Sequence, residues 1–438
     1  MLQNAEKMDQ PVKTQAEYTA LLHTVLGARY GDAPRAFVHT YGCQGNVADG
    51  ERIKGMLAEM GYLFTDTVES ADLVLYNTCA VREHAEDRVF GNVGALKNRK
   101  AARPGMVVAL CGCMMQQPRV AEKIRRSYPF VDLVFGTHVI HRLPELLYRT
   151  LCGRNRVFEL PDEAGSITEG LPVVRDSSFK AFLPVMYGCN NFCSYCIVPY
   201  VRGRERSRMV EAVLEEARSL VEAGYRDITL LGQNVNSYGK DLETPVPFAQ
   251  LLREINAIPG DFRIRFMTSH PKDCTRELLD AMADCEKVAK HLHLPFQSGN
   301  DRVLKEMNRR YTREQYLELI RYARQVMPEL SLTSDVIVGF PGETYEAFQD
   351  TLSLVEEVGF TSLFTFIFSP REGTPAAKMP DPVSREEKGR WFRELTDLQE
   401  RVASARNQKL LGKRFRVLVE GPGKKAGLLA GRTEGNLV

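Results

Sequence analysis

Short apolar runs alternate with amphipathic stretches from about residue 36 onward. Runs rich in β-branched and aromatic residues at 36–43, 71–79, 106–113 and 131–136 predict strands, and the stretches at 51–60, 83–100 and 117–127 predict helices. Strands that alternate with helices indicate βαβ units and therefore a parallel sheet. Residues 1–34 are mostly polar and predict an N-terminal extension or a leading helix.

A second series of β/α units follows a segment with several prolines and glycines. Six strands are predicted at 182–188, 227–233, 263–268, 291–296, 332–339 and 362–368, with helices between them. Six such units predict an incomplete barrel of the TIM type, with its site at the carboxyl ends of the strands. A polar helix at 386–410 and a strand at 413–421 come last. We therefore expect an extension at 1–34, an α/β domain at 35–158, a linker at 159–178, a barrel at 179–373 and a terminal segment at 374–438.

Composition narrows the class of protein. The chain has 438 residues and a formal net charge of +2, and none of its apolar runs approaches the ~18 residues of a membrane span. Its first residues lack the apolar core of a secretory signal, so we expect a cytoplasmic protein in which thiols stay reduced. The ten cysteines are then metal ligands, catalytic thiols or core residues rather than disulfides. Nothing in the sequence requires more than a monomer.

Three cysteines each fall at the carboxyl end of a predicted strand: Cys43, Cys79 and Cys113. In an open α/β sheet these ends face one crevice, so the three thiols are expected to converge. The alternative is that they are small buried core residues, as free cysteines often are. Cys111 lies two residues before Cys113, and the pattern alone does not decide which of the two reaches the crevice.

The most specific motif is YGCNNFCSYC, which places Cys189, Cys193 and Cys196 in a CxxxCxxC pattern directly after the first barrel strand. Three thiolates on one loop can bind three irons of a cubane cluster and leave the fourth iron open for chemistry. A structural zinc ion is the alternative, but it needs a fourth Cys or His ligand at short range. The nearest histidines, at 138, 141 and 270, are distant in sequence.

These motifs together resemble the radical SAM methylthiotransferase family. The likeness covers about residues 36–438 and includes TYGCQGN at 40–46 and NFCSYCIVPYVRGRERSR at 191–208. The resemblance implies that Cys189, Cys193 and Cys196 hold a [4Fe–4S] cluster that binds S-adenosylmethionine (SAM), whose reductive cleavage gives a 5′-deoxyadenosyl radical. It implies an auxiliary [4Fe–4S] cluster on Cys43, Cys79 and Cys113, the last chosen over Cys111 because it stands in a GCM phrase. Cys152, Cys274 and Cys285 match no ligand of the family.

The resemblance also suggests where SAM binds. Four segments, at 230–239, 268–271, 293–299 and 334–344, lie at the ends of successive barrel strands and carry amide, hydroxyl and glycine groups suited to SAM. Each segment taken alone could equally be ordinary turn chemistry. The candidate contacts are Gln233, Asn234, Ser269, Gln297, Ser298 and Gly339, the glycine because its backbone admits close approach to adenine.

Charge suggests a polyanionic partner. Residues 371–438 carry 15 Lys and Arg against 9 Asp and Glu, and four arginines crowd the segment after the cysteine motif. A solvated helix start is the plain alternative for these arginines. The family resemblance implies that the C-terminal module is TRAM, an OB-like β-barrel that binds RNA, of which this sequence holds about the first half. Candidate RNA contacts are Arg202, Arg204, Arg206, Arg208, Lys413 and Arg414.

The function implied by the resemblance is insertion of a methylthio group at C2 of N6-(dimethylallyl)adenosine at position 37 of tRNA, beside the anticodon. Two SAM molecules and sulfur bound at the auxiliary cluster would be consumed, with electrons from a flavodoxin- or ferredoxin-like protein; the sulfur donor stays open. A sister enzyme that acts on threonylcarbamoyl-adenosine of tRNA or on a ribosomal-protein aspartate is the first alternative. A non-catalytic iron–sulfur or zinc RNA-binding protein is the second.

Overall fold

The computed structural model describes residues 14–31, 34–80, 83–163 and 165–438, and the chain divides into two units. The N-terminal unit comprises the residues up to 176 together with 200–203. The C-terminal unit comprises residues 177–199 and 204–438. The boundary at 176/177 falls near the end of the predicted linker.

A six-stranded, fully parallel sheet forms the centre of the N-terminal unit. Its spatial order is β2-β1-β3-β4-β5-β6. All residues of the two central strands are buried, as expected when both faces of a parallel sheet are covered. The four predicted strands are confirmed, and β2 and β6 extend the sheet at its edges. The strands are β1 (Arg35–Thr40), β2 (Leu63–Phe64), β3 (Leu73–Thr78), β4 (Val107–Gly112), β5 (Leu133–Phe135) and β6 (Val157–Glu159).

Helices cover both faces of this sheet. Alternate residues of β3 enter two different cores, with Leu73 and Leu75 in one and Val74 and Tyr76 in the other. The helices are α1 (Gln15–Tyr30), α2 (Gln44–Glu59), α3 (Glu83–Ala102), α4 (Pro118–Ser127) and α5 (Leu143–Cys152).

The first helix is an integral part of the N-terminal unit rather than an extension. Thr14 and Glu17 form a capping box that starts α1. Leu22 and Leu26 are buried in the core, where α1 packs against α5. The leading helix, one of the two alternatives for this segment, is therefore present in its described part, because a short apolar stripe is enough to dock it. Residues 1–13, 32 and 33 of that prediction lie outside the described residues.

Six parallel strands also organise the C-terminal unit, in two neighbouring sheets ordered β11-β10-β7 and β12-β13-β14. Ile264 of β11 hydrogen-bonds to Lys287 and Ala289, just before β12, which brings the sheets side by side. The six predicted barrel strands are confirmed. They are β7 (Lys180–Pro184), β10 (Asp227–Leu231), β11 (Arg263–Phe266), β12 (His291–His293), β13 (Ser331–Val338) and β14 (Ser362–Ile367). A small antiparallel pair, β8 (Met186–Tyr187) and β9 (Arg206–Ser207), closes the base of the cysteine loop.

Helices cover one face of these strands. Leu230, Leu332 and Val336 point into a core shared with the helices. Trp391 stacks on Phe348, which docks the long last helix onto the same core. The helices are α7 (Val210–Glu222), α8 (Phe248–Asn256), α9 (Arg276–Asp284), α10 (Asp301–Glu306), α11 (Arg313–Val326), α12 (Tyr345–Val358) and α13 (Arg385–Gln408). The short helix α6 (Val198–Arg202) precedes them, and its residues 200–202 belong to the N-terminal unit. Short 3-10 helices occur at Val68–Ser70, Thr137–Arg142, Val235–Ser237, Pro271–Asp273 and Pro375–Lys378.

An antiparallel hairpin, β15 (Val417–Pro422) and β16 (Leu429–Thr433), follows α13. Arg263 and Arg265 of β11 donate hydrogen bonds to the backbone oxygen of Thr433, at 3.2 and 2.9 Å. The hairpin is thereby attached to the barrel strands, and the assignment of a TRAM module stays a prediction. Within the described ranges, no helix combines the length and the apolar character needed to cross a bilayer.

Candidate metal centres

The three cysteines at the strand ends of the N-terminal unit come together as predicted from their positions. Cys79 follows β3 and Cys113 follows β4 directly, and both are buried, whereas Cys43 caps α2 and is exposed. The loop before α2 lies against Cys79, because a Cβ placed on Gly42 would stand 2.6 Å from the Cys79 sulfur. The thiols of Cys43 and Cys79 also lie near enough to raise the pKa of Cys113.

Asn46 ties these three loops to one another. Its side-chain amide donates to the backbone oxygens of Tyr41 and Thr78, both at 2.9 Å, and its oxygen lies 3.6 Å from the Cys113 sulfur. Asn46 is fully buried in the first turn of α2. The sequence analysis did not single it out, and the available signal was its position three residues after Cys43, one helical turn away.

The structure distinguishes Cys113 from Cys111. Cys111 lies inside β4 and is buried in the core on one side of the sheet, while Cys79 belongs to the core on the other side. Gly112 then adopts φ +94°, and a Cβ there would lie 2.4 Å from the Thr78 oxygen. This glycine turn breaks the strand alternation, so that Cys113 joins the other two thiols and Cys111 does not.

Arg202 belongs to the N-terminal unit and lies beside Cys113. Its Nε donates to the Cys113 sulfur at 3.1 Å, and its Nη2 donates to Asp49 Oδ2 at 2.7 Å and to Asn46 Oδ1 at 2.8 Å. The residue is buried, so its predicted role in binding RNA phosphate is wrong: the guanidinium is already paired and is shielded from solvent. Burial is the main cause that raises the pKa of Cys113 to about 12, and the Arg202 charge acts in the opposite direction.

The second group of cysteines lies on a tightly held loop of the C-terminal unit. The loop starts at Gly188, whose φ is +76° and whose N–H donates to Gln233 Oε1 at 2.5 Å. Ser194 anchors the middle of the loop through its N–H and its hydroxyl, which donate to the Met307 and Glu306 oxygens. The Cys196 N–H donates to the Cys193 oxygen, which closes the turn between them.

The loop thiols are near one another and largely withdrawn from water. Cys189 and Cys193 are buried, and Cys196 is partly buried. Burial raises the pKa of Cys189 and of Cys196 to about 12, and the neighbouring Cys193 thiolate adds to both shifts. Iron binding at either group must therefore displace protons from the thiols.

A second buried arginine, Arg309, serves this loop. Its Nη1 lies 3.6 Å from the Cys193 sulfur, its Nε donates to the Tyr311 hydroxyl at 3.0 Å, and its Nη2 donates to the Pro295 oxygen. The sequence offered no signal for this contact, since Arg309 lies 116 residues from Cys193. Each cysteine group thus has one buried guanidinium directed at one of its sulfurs.

Neither group has the geometry of a single-ion site. Among the described residues, no three Cys, His, Asp or Glu side chains converge closely enough to hold one metal ion. Zinc binds its sulfur ligands at about 2.3 Å around one point, whereas a cubane cluster takes each thiolate on a different iron. Three thiolates per group match the donor set of a cubane cluster, whereas a structural zinc ion takes four protein ligands.

Buried polar atoms without a partner gather at the ends of the barrel strands. Asn234 Oδ1 follows β10, the Ser269 hydroxyl and His270 Nε2 follow β11, and Gln297 Oε1 follows β12. The His270 Nδ1 accepts from the Lys272 N–H, so the unpartnered Nε2 carries the hydrogen. A buried polar group left unpaired costs about 1–3 kcal/mol, so this edge is built for a polar ligand. Three of the six predicted SAM contacts lie in this set, and His270, from the candidate segment 268–271, is a fourth residue that was not chosen as a contact.

The other three predicted SAM contacts already have structural partners. Gln233 holds Gly188 at the start of the cysteine loop. The Ser298 hydroxyl accepts from the Asn300 N–H before α10. Gly339 leaves room for the aliphatic stem of Lys388, which a Cβ at this position would meet at 2.5 Å. The Lys388 stem thus occupies the side on which a Cβ would project, and the approach of adenine to the Gly339 backbone stays a prediction.

The remaining predicted RNA contacts divide by exposure. Arg208 is buried and donates to the Pro184 oxygen and to Glu216, so its assignment to RNA is wrong for the same reason as that of Arg202. Arg206 is half-buried beside the Tyr187 ring. Arg204 is exposed over the Phe192 ring, and Lys413 and Arg414 are exposed as well. For these four residues, binding to RNA stays a prediction. Of the cysteines outside the two groups, Cys274 and Cys285 lie in the barrel core and Cys152 ends α5.

The chain matches two known protein families and several curated relatives. Residues 183–355 match the Radical SAM superfamily, and residues 35–136 match the uncharacterized protein family UPF0004. The tRNA-2-methylthio-N(6)-dimethylallyladenosine synthase of Acetivibrio thermocellus is 54% identical over 402 residues, covering 92% of this chain and 84% of that protein. The enzyme of the same name from Caldicellulosiruptor saccharolyticus is 49% identical over 428 residues, covering 97% and 91%.

A solved structure shares the fold at low sequence identity. The radical S-adenosylmethionine methyltransferase TsrM from Kitasatospora setae superposes with a TM-score of 0.56 at 16% identity, covering 79% of this chain and 75% of that chain. This likeness bears on the fold alone. The relatives at about half identity over nearly the whole length bear on the family: the chain belongs to the tRNA-2-methylthio-N(6)-dimethylallyladenosine synthases, a family of radical SAM enzymes.

Proposed function

We propose that this enzyme converts N6-(dimethylallyl)adenosine of tRNA into its 2-methylthio derivative. The observation that carries the proposal is the presence of two separate cysteine triads in a chain that is 54% identical to a synthase of that name. The C2–H bond of adenine is neither acidic nor electrophilic, so acid–base catalysis alone does not suffice. The cofactors are SAM and [4Fe–4S] clusters, as in the rest of the family.

The cysteines divide between the two clusters by unit. Cys189, Cys193 and Cys196 are proposed to hold the cluster that binds SAM, and Cys43, Cys79 and Cys113 the auxiliary cluster. The chemistry that these groups supply when bound is reductive cleavage of SAM to a carbon radical and transfer of a methylated sulfur to C2. The pairing of each triad with a buried arginine supports the assignment, since buried thiolates need a compensating charge.

The protein's own groups bind and orient SAM beside the cysteine loop. Asn234, Ser269 and Gln297 offer buried oxygens, and the His270 Nε2–H is a buried donor suited to a carboxylate or a ribose hydroxyl. Burial lowers the pKa of His270, with Arg309 and Lys272 adding to the shift, so the imidazole stays neutral and donates without changing its charge. Gln233, by fixing Gly188, holds the loop in the conformation that the ligands need.

The tRNA partner is proposed to contact the exposed cations Arg204, Lys413 and Arg414, which can bind phosphates. The adenosine beside the anticodon has to leave its stack to enter the site, as bases that undergo chemistry generally do. A flavodoxin- or ferredoxin-like electron donor and a monomeric state complete the proposal.

Two half-exposed phenylalanines suggest how the dimethylallyl group is recognised. Phe364 and Phe366 of β14 are each 50% exposed. On the neighbouring strand β13 they pair with Asp335 and Ile337, which are partly exposed, whereas Val336 between these two is buried in the core under the helices. Phe364 and Phe366 therefore lie on the face of the sheet opposite the helices. The Phe364 ring also contacts the His293 ring edge-on at 5.7 Å. Exposed aromatic faces can stack on a base and pack against a branched five-carbon chain.

The function is tested by the nucleosides of tRNA from a bacterial host that lacks its own methylthiotransferase. Expression of this chain should convert N6-(dimethylallyl)adenosine into the 2-methylthio nucleoside, detected by liquid chromatography and mass spectrometry. Cys113→Ala and Cys189→Ala should each abolish the product, while Cys285→Ala, in the barrel core, should retain it. A methylthio product of threonylcarbamoyl-adenosine instead, or no methylthio nucleoside at all, would contradict the proposal.

The auxiliary site should not tolerate a side chain at Gly42. Its φ of +106° is unfavourable for other residues, and an added Cβ would lie 2.4 Å from Cys79 Cβ. The test uses a chain in which Cys189, Cys193 and Cys196 are replaced by alanine, so that only the auxiliary cluster can form. In this chain Gly42→Ala should reduce bound iron from about four to below one per chain after anaerobic reconstitution. Gly91→Ala is the control, because its Cβ would meet nothing within 4 Å in helix α3. Retention of about four irons by Gly42→Ala would show that the close contact between Gly42 and Cys79 is not needed for cluster binding.

The phenylalanine pair should set substrate preference. Replacing Phe364 and Phe366 together by alanine should raise KM for tRNA that carries dimethylallyl-adenosine by about tenfold, because apolar contact with the prenyl chain is lost at about 0.8 kcal/mol per buried CH₂. Bound iron should stay unchanged. Phe64→Ala, at a comparably exposed position on edge strand β2, is the control. An unchanged KM in the double variant would show that these two residues of β14 do not contact the substrate.

A further inference from the structure

Arg202 is held in an arrangement that aims one N–H at a single sulfur. Nη2 is occupied by Asp49 and Asn46, which fixes the guanidinium plane, and Nε is left to point at Cys113 Sγ at 3.1 Å. The side chain is only 6% exposed, and its ion-pair partner Asp49 is buried as well. Because the fork of a guanidinium is rigid, fixing one end of it fixes the direction of the other.

The backbone that carries Arg202 is anchored within the N-terminal unit. The Thr137 hydroxyl donates to the Val201 oxygen at 2.7 Å, and Gly203, with φ +76°, ends the short helix directly after Arg202. This segment follows Cys196 in sequence by only a few residues, yet 200–203 belong with the N-terminal unit. The position of the guanidinium is therefore set by the backbone and by polar contacts together.

A buried ion pair is poor evidence for stability alone, because desolvation of both charges offsets much of their attraction. A simple Arg202–Asp49 pair would not require the Nε contact with sulfur. Hydrogen bonds to ligand sulfurs and the net charge nearby are, in contrast, two of the factors that set the reduction potential of an iron–sulfur cluster. Both factors meet at Cys113.

We infer that Arg202 is a positioning residue of the auxiliary cluster, which orients the Cys113 thiolate and raises the reduction potential of the cluster held there. The inference rests on the proposed assignment of Cys43, Cys79 and Cys113 as ligands. A positive charge and an N–H···S bond stabilise the reduced, more negative cluster relative to the oxidised one. Asp49 offsets part of this charge, and Asn46 holds the geometry.

The experiment compares two variants that both carry Asp49→Asn, so that no unpaired carboxylate is left buried. In the full chain with Cys189, Cys193 and Cys196 replaced by alanine, only the auxiliary cluster remains. Asp49→Asn keeps Arg202, and Asp49→Asn with Arg202→Gln removes it. The potential of the cluster is measured by redox titration followed by electron paramagnetic resonance, together with iron content and the melting temperature of the iron-free protein. Arg126→Gln, an exposed arginine of the same unit, is the control for loss of one charge.

Removing Arg202 in the Asp49→Asn background should lower the equilibrium constant for one-electron reduction at least tenfold, which corresponds to about 59 mV toward more negative potential. Arg126→Gln should leave the reduction potential of the cluster unchanged. Loss of iron from the double variant without a fall in melting temperature would also support the inference, because the cluster then depends on Arg202 while the fold does not.

Two results would overturn the inference. One is an unchanged potential with full iron content, and the other is loss of iron together with a lower melting temperature, which would assign Arg202 to the fold alone. Absence of iron from the chain that carries only the alanine replacements at Cys189, Cys193 and Cys196 would instead contradict the assignment of Cys43, Cys79 and Cys113 as ligands, and with it the inference. A failure of the ligand assignment can therefore be told apart from a failure of the role of Arg202.

Discussion

Thiolates repel one another, so gathering three of them, most of them buried, is favourable only when positive charge compensates them. Both cysteine triads of this chain meet that constraint with a metal-binding donor set and one buried arginine each. Arg202 reaches Cys113 and Arg309 reaches Cys193. Without iron, burial keeps the pKa of Cys113, Cys189 and Cys196 high, so the neutral thiols can be buried until the metal replaces their protons.

The two units solve the same problem by different means. In the C-terminal unit one loop supplies all three thiols, and the loop is held by Gln233 at its start and by Ser194 at its centre. In the N-terminal unit the thiols come from three strands, and convergence depends on the parallel sheet, on Asn46 and on the turn at Gly112. The first arrangement is local and tolerates change elsewhere, whereas the second depends on correct packing of the whole sheet.

Much of this could be predicted from the sequence, because strand–helix alternation and cysteine spacing are properties of the chain itself. Eleven of the strands and the convergence of Cys43, Cys79 and Cys113 followed from such patterns. Strand β2 was missed because its two residues are too few for a pattern to register. Helix α1 was underestimated because its buried stripe is short.

The errors concern side chains whose environment is set by distant residues. A run of arginines reveals charge but not direction, so Arg202 and Arg208 were assigned to RNA although both are buried and paired. Arg309 gave no local signal at all, since its contact with Cys193 joins residues 116 positions apart. His270 lies in a segment expected near SAM, but nothing in the sequence showed that its Nε2 is buried without a partner.

The central claim is that the chain carries two independent thiolate triads, each the seat of one four-iron cluster. The most direct measurement is anaerobic quantification of iron and sulfide in the full chain and in two triple variants, one with Cys43, Cys79 and Cys113 replaced by alanine and one with Cys189, Cys193 and Cys196 replaced. The account predicts about eight irons in the unaltered chain and about four in each triple variant. Complete loss of iron in either triple variant, or about four irons in the unaltered chain, would contradict it.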